Sequence, residues 1–209
     1  MTKKPFWEEC YQQPGKLDTF RNGKPSNDVV IAASMLDRGS TALDLGCGEG
    51  RNAVYLADIG LATTAVDISG AGIKKLNTIA SQMGLDVESS VCDMRKYMFS
   101  KQFDLVICHG CLHLVKREEW QKVLERIKNN TAPGGINVIC VFTDQLPEPD
   151  DQKGIMSGLF REGELLEHYQ DWEILDSRSC EFQDEHPGGI RHRHALNSLT
   201  AKKPKLRKK

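Results

Sequence analysis

Apolar residues along the chain alternate between short solid runs and stripes spaced at three and four, the signatures of buried strands and of helices packed on them. Ala42, Leu43 and Leu45 predict a first strand, and Gly46-Cys47-Gly48-Glu49-Gly50 then turns the backbone into a helix. Leu61 to Ser69, reading LATTAVDIS, predicts a second strand, and Ile73, Leu76, Ala80 and Met83 a helix that Gly84 ends. Val87–Cys92 and the solid run Phe103–Cys108 predict strands three and four. A stripe of Trp120, Val123, Leu124 and Ile127 predicts the next helix, after which Pro133-Gly134-Gly135 turns into a fifth strand over Ile136–Phe142. Residues 143–153 are too acidic and proline-rich for anything but a loop, and Glu162–Gln170 suits a helix. Two last strands, Trp172–Phe182 and Arg191–Ala201, are joined at Pro187-Gly188-Gly189. The first 25 residues keep no period, although Pro25-Ser26-Asn27-Asp28 opens a helix over Val29–Leu36. Strands alternating with helices imply parallel βαβ units.

The glycine turn follows a strand and opens a helix, the setting in which backbone approaches a ligand without Cβ atoms in the way. Its spacing is G-x-G-x-G, which departs from the G-x-G-x-x-G that seats a pyrophosphate and so argues against a dinucleotide. Asp67 ends the second strand 17 residues beyond Gly50, where a carboxylate can accept from both hydroxyls of a ribose. A nucleoside without pyrophosphate fits these two features.

Asp44 to Gly50 with Asp67, then Cys92-Asp93-Met94, Phe103 to Ile107 with Leu112-His113-Leu114, and Ala132-Pro133-Gly134-Gly135 resemble, in order, the motifs of class I methyltransferases that use S-adenosylmethionine (SAM). Gly50-Arg51-Asn52 with Tyr55-Leu56, Phe6-Trp7, and the late runs Phe160 to Leu165 and Tyr169 to Glu173 are similar to the tellurite-resistance and thiol-methyltransferase branch. The resemblance implies an α/β fold, a three-layer α-β-α Rossmann-like sandwich whose seven strands run 3-2-1-4-5-7-6 with the last antiparallel. It implies SAM as cofactor, S-adenosylhomocysteine as product, and a cofactor set of Asp44, Gly46, Cys47, Gly48, Gly50, Arg51, Asp67, Ile68, Asp93, Met94 and Cys108. Asp93 would accept from the adenine amino group while Met94 packs on the ring. The acceptor side would draw on Trp7 and Tyr11 of a covering leader, on His113, and on His186, Arg191, His192 and His194 of the last hairpin. Of these, His113, His192 and Arg191 are the candidate catalytic groups. The branch carries a His-Arg pair and a further Arg in that hairpin, whereas this chain has Asp184-Glu185-His186-Pro187 and then Arg191-His192-Arg193-His194.

With 209 residues, 39% of them hydrophobic, the chain suits one domain: 1–36 as cover, 40–142 as SAM core, 160–201 as terminal helix and hairpin, and 202–209 as a basic disordered tail. No run approaches the roughly 18 apolar residues of a membrane span and no signal core opens the chain, so the expectation is a cytoplasmic protein without a membrane partner, monomeric or homodimeric. Seven cysteines without a disulfide-like framework point to reduced thiols. Cys108 to His113 invites a metal, but no second ligand pair follows at finger-like spacing, and no metal is expected. The tail holds six of the 28 basic residues, leaving a net charge of −7 on the body, a poor surface for nucleic acid. The expected function is methylation of a small acceptor such as a thiol or a tellurium or selenium oxyanion. A soft nucleophile needs no base, whereas a hydroxyl or protonated amine would call on one of the histidines. The alternatives are a SAM-binding module without catalysis and, behind it, an RNA methyltransferase using the tail.

Overall fold

The computed structural model describes residues 6–12, 23–149, 153–185 and 191–205. They fall into two compact units, Met1–Met98 and Phe99–Lys209. In the first unit the order is α1 (Phe6–Tyr11), α2 (Asn27–Ala33), β1 (Thr41–Leu45), α3 (Arg51–Asp58), β2 (Ala62–Asp67), α4 (Gly70–Met83) and β3 (Val87–Val91). Strand β2 pairs in parallel with β1 on one side and β3 on the other. Ala42, Leu43 and Leu45 are fully buried, and Cys47, Ala53, Val54, Ala65, Ile73 and Leu76 form one core cluster. Each fully buried leucine there contributes roughly 1.5–3 kcal/mol relative to exposure. Helix α4 starts where Ser69 accepts from the Gly72 N–H, and it ends on Gly84 in the left-handed region. A helical turn, α1, forms in a leader whose sequence keeps no period, and α2 starts two residues earlier and ends three earlier than its pattern predicts.

The second unit contains β4 (Phe103–His109), a 3-10 turn at Leu112–Leu114, α5 (Arg117–Asn129), β5 (Thr131–Phe142), α6 (Glu164–Glu167), β6 (Glu173–Glu185) and β7 (Arg191–Lys202). Strand β5 pairs in parallel with β4, and β7 runs antiparallel to both β5 and β6. Pro133-Gly134-Gly135 lies inside β5 instead of before it. Pairing jumps from Phe103↔Thr131 to Leu105↔Ile136, and the bulged residues bond elsewhere: Gly134 N donates to Lys203 O (3.0 Å) and Lys203 N to Gly135 O (2.8 Å). The helix expected over 162–170 shrinks to the single turn α6, because buried Glu164 is tied to Arg117 and Tyr169 turns inward to donate to Asn137 Oδ1 (3.0 Å).

The seven strands follow the order β3-β2-β1-β4-β5-β7-β6, the Rossmann-like class I methyltransferase order with a reversed last strand that the sequence predicts. No helix among the described residues is long and apolar enough to cross a membrane.

Candidate functional site

The first unit gathers most of the predicted cofactor set at the carboxyl ends of β1 and β2. Asp44 is buried near the end of β1 and the glycine turn follows it. Gly46 N and Cys47 N both donate to Val66 O (2.7 and 3.0 Å), which folds the turn back over β2. Asp67 closes the arrangement: its Oδ2 accepts from Gly48 N (2.7 Å) and its Oδ1 from Ser69 N (2.8 Å). Burial raises the Asp67 pKa, the two backbone donors pull it back, and the nearby Glu8 raises it further. Burial, reinforced by the charges of Asp44 and Asp67, pushes the Cys47 thiol well up, so it stays protonated and unreactive.

Two close approaches explain why glycine stands in the turn and beyond it. Gly48 has φ 58°, and a Cβ there would lie 2.7 Å from the Tyr11 hydroxyl. A Cβ on Gly72, in the first turn of α4, would lie 2.5 Å from the Gly48 carbonyl oxygen. Tyr11 of α1 thus leans on the turn, while Glu8 accepts from Ser69 Oγ and from Ala71 N (3.4 Å) at the start of α4. Trp7 is half-buried on the same short helix. Ile68 is 55% exposed directly after the buried Asp67, an apolar surface beside a polar anchor. Asp93 is bound by its neighbour Arg95, whose Nε lies 2.9 Å from each carboxylate oxygen and whose Nη2 lies 2.5 Å from Oδ2. That guanidinium holds the carboxyl below its usual range. Met94 is half-buried, and Arg51 turns away to donate to Lys24 O (3.0 Å).

In the second unit, Cys108 and Cys111 are buried with their sulfurs 3.3 Å apart. Three of the predicted histidines meet in one aromatic stack. The His113 ring stacks on Phe142 (centroids 4.1 Å, 17°), Phe142 stacks on His194 (4.4 Å, 18°), and His192 meets His194 edge-on (4.7 Å). Phe182 packs beside Phe142 and His194, at 5.7 and 5.5 Å. His192 and His194 point to the covered face of β7, whereas Arg191 and Arg193 are exposed on the other. His113 is buried in the 3-10 turn and its Nδ1 accepts from Phe142 N (3.1 Å). Burial, with His194 adding, pushes its pKa down to about 3. His186 lies outside the described residues.

Sequence reasoning misses Glu8, Gly72, Arg95, Phe142 and Phe182. Only Gly72 carries a local signal, in the run Ser69-Gly70-Ala71-Gly72 at a helix start; the others act through partners distant in the chain or, for Arg95, through a side-chain bond no motif encodes.

Comparison with known proteins follows the same lines. A family model described as tellurite resistance protein TehB matches residues 16–187. The Haemophilus influenzae protein described as a probable S-adenosyl-L-methionine-dependent methyltransferase TehB is 32% identical over 151 residues, 71% of this chain and 51% of that protein. The chain therefore spans about half the length of the curated relatives it matches. The crystal structure of TehB from H. influenzae superposes with a TM-score of 0.76 at 28% identity, covering 85% of this chain and 62% of that one. A Burkholderia thailandensis 1,6-didemethyltoxoflavin-N1-methyltransferase, solved with bound 1,6-didemethyltoxoflavin and S-adenosylhomocysteine, gives a TM-score of 0.63 at 26% identity over 85% and 76% of the two chains.

Proposed function

The chain belongs to the family of the tellurite resistance protein TehB, and from that premise we propose that it is a SAM-dependent methyltransferase acting on a small molecule, a thiol or a tellurium or selenium oxyanion. The observation that carries the reading is the seat at the ends of β1 and β2, where buried Asp67 braces the Gly48 amide and Ile68 stands exposed beside it.

A cofactor with a ribose, an adenine and a cationic tail fits that seat. Gly46, Gly48 and Gly50 leave backbone open to the ligand, and a Cβ at Gly48 would fill the space Tyr11 now touches. Asp67 would hold the ribose hydroxyls, Ile68 and Met94 the adenine ring, and Asp93 its amino group. The buried carboxylates Asp44 and Asp67 favour a cationic ligand over a pyrophosphate. Bound there, SAM supplies a methyl group on a sulfonium, whose displacement needs no proton on the leaving group. The protein's part is then alignment and exclusion of water, worth up to about 7–11 kcal/mol where reacting atoms are well oriented. Tyr11 and Glu8 of α1 contribute by bracing the turn and the start of α4.

Calorimetric titration with SAM, S-adenosylhomocysteine and NAD, followed by a turnover screen against thiols, tellurite, selenite and thiopurines, tests the proposal. Tight binding of the first two with turnover of at least one acceptor is expected. Binding without turnover of any acceptor would leave a SAM-binding module, and NAD binding would overturn the cofactor.

A further inference from the structure

Cys108 and Cys111 are two thiols in mutual contact, held to different degrees. Their sulfurs lie 3.3 Å apart, and a disulfide needs ~2.05 Å, so an approach of about 1.2 Å would join them. Cys108 is fully buried in β4, where it is in register with Ile139 of β5. Cys111 is 7% exposed and caps the 3-10 turn. Between them stand the partly exposed His109 and Gly110, and Gly110 has φ 79° with open space where a Cβ would lie. Gly110 N donates to Cys140 O (2.8 Å), which pins the chain just before Cys111. Beyond it, Leu114 N donates to Cys111 O (3.1 Å), so a shift of Cys111 passes into the turn, where His113 accepts the Phe142 amide (3.1 Å). Among the described residues no group of three or more His, Cys, Asp or Glu could hold a metal ion, which leaves the pair the chemistry of a dithiol.

We propose that Cys108 and Cys111 form an oxidation site, a dithiol that a hydroperoxide converts to a reversible intrachain disulfide, with Cys111 attacked first and the 3-10 turn moving as the bond closes. The proposal does not depend on the methyltransferase reading. An oxidant arriving from solvent meets Cys111, because Cys108 has no exposed surface. The Cys111 sulfur attacks as the thiolate: a sulfur–oxygen bond forms, the oxygen–oxygen bond breaks, and the departing oxygen takes the proton that Cys111 lost and leaves as water. The Cys108 sulfur then attacks the Cys111 sulfur. The sulfur–sulfur bond forms, the sulfur–oxygen bond breaks, and the second oxygen leaves as water with the Cys108 proton. Over both steps the two thiols give up two electrons and two protons, and the peroxide is reduced to two waters. A partner thiol already in contact favours this outcome over further oxidation, since the sulfenic acid condenses before a second peroxide reaches it. Because Cys108 is fixed by the sheet, Cys111 and the turn it caps make the approach. A dithiol reductant reverses the step by exchange.

Peptide mapping of the whole protein tests this. The protein is treated with hydrogen peroxide, unfolded, alkylated with iodoacetamide and digested with trypsin, which leaves both cysteines in one peptide, residues 102–116. That peptide should be unalkylated and lighter by two hydrogens, and dithiothreitol before alkylation should restore both alkylation sites. The exposed Cys180 of β6 shows in the same digest that the oxidant has acted. Full alkylation of 102–116 once Cys180 is oxidised, a sulfinic acid at either position, or a bond from either to Cys140 overturns the site. The order of attack is read with dimedone, which labels sulfenic acids. Cys108→Ser should take the label at Cys111, whereas Cys111→Ser should leave Cys108 a thiol at the same dose; equal or reversed labelling overturns that order. The motion of the turn is read from the Leu114 and Phe142 amide resonances, which should shift on oxidation and return with dithiothreitol. Unmoved resonances in the disulfide form overturn the motion. The mapping of the wild-type protein needs neither variant to fold, and no cofactor or acceptor enters it, so its failure leaves the methyltransferase reading where it stands.

Discussion

The glycine turn of the first unit and the histidine stack of the second are built in opposite ways. The turn is backbone: Gly46, Cys47 and Gly48 spend their amides on Val66 O and Asp67, all within 22 residues of chain. The stack is side chain: His113, Phe142, Phe182 and His194 arrive from a 3-10 turn and three strands and meet through their rings, with one bond from the Phe142 amide to His113 Nδ1. A seat of the first kind tolerates no added atom, while one of the second kind tolerates rearrangement but pays in stability when a ring is lost.

The largest test of that contrast is Gly72→Val, which drives a side chain against the Gly48 carbonyl. Overpacking of about 3 kcal/mol, felt at the turn, should weaken SAM binding roughly 100-fold by calorimetry; normal affinity would mean that the turn is not the seat. Phe142→Ala should do the reverse, lowering stability by about 3 kcal/mol in a denaturant titration because two stacked partners lose their neighbour, with SAM affinity kept. Loss of both together would erase the distinction. Asp67→Ala should weaken SAM binding by about 1.5–3 kcal/mol, less than a blocked turn but more than any change in the stack.

A pH titration of stability sharpens the stack's side of the comparison. His113 is held down to about 3 in the fold against an ordinary 6.5, so below pH 6.5 the unfolded chain takes up a proton that the folded one refuses. Stability should fall as pH drops from 6.5 toward 3, with His113 contributing up to about 1.4 kcal/mol per pH unit. His113→Asn should flatten that slope, and an unchanged slope would assign it to other groups. The smallest effect is expected at the edge of the turn: Glu8→Gln removes a charge that raises the Asp67 pKa but keeps an acceptor for Ser69, so SAM affinity should change by less than about 1 kcal/mol. A tenfold loss would make Glu8 part of the seat itself.

The same contrast explains what the sequence discloses. Asp44 to Gly50 and Asp67 are legible because strand, turn and helix start are consecutive and each has its own residue chemistry. The sheet order follows from the resemblance to class I methyltransferases, and the tellurite-resistance branch read from Gly50-Arg51-Asn52 and the late motifs is the family that the chain matches. Phe142 and Phe182 read only as strand residues, because the partners that make them a stack lie 29 or more positions from His113. Local pattern also misreads Pro133-Gly134-Gly135 as a turn, since a bulge held by Lys203 has the same composition. The helix over 162–170 fails for a related reason: the ion pair with Arg117 and the inward Tyr169 are tertiary.

Lys203 also bears on the alternative of a nucleic acid partner. Its ammonium donates to Lys128 O (2.7 Å) and Thr131 O (2.8 Å) at the end of α5, so one of the six basic side chains in the last nine residues is already committed to the fold. At most five are left for a polyanion. If all five met phosphates of single-stranded RNA, binding would release about 3.5 counterions, which sets the steepest salt dependence the tail alone can produce.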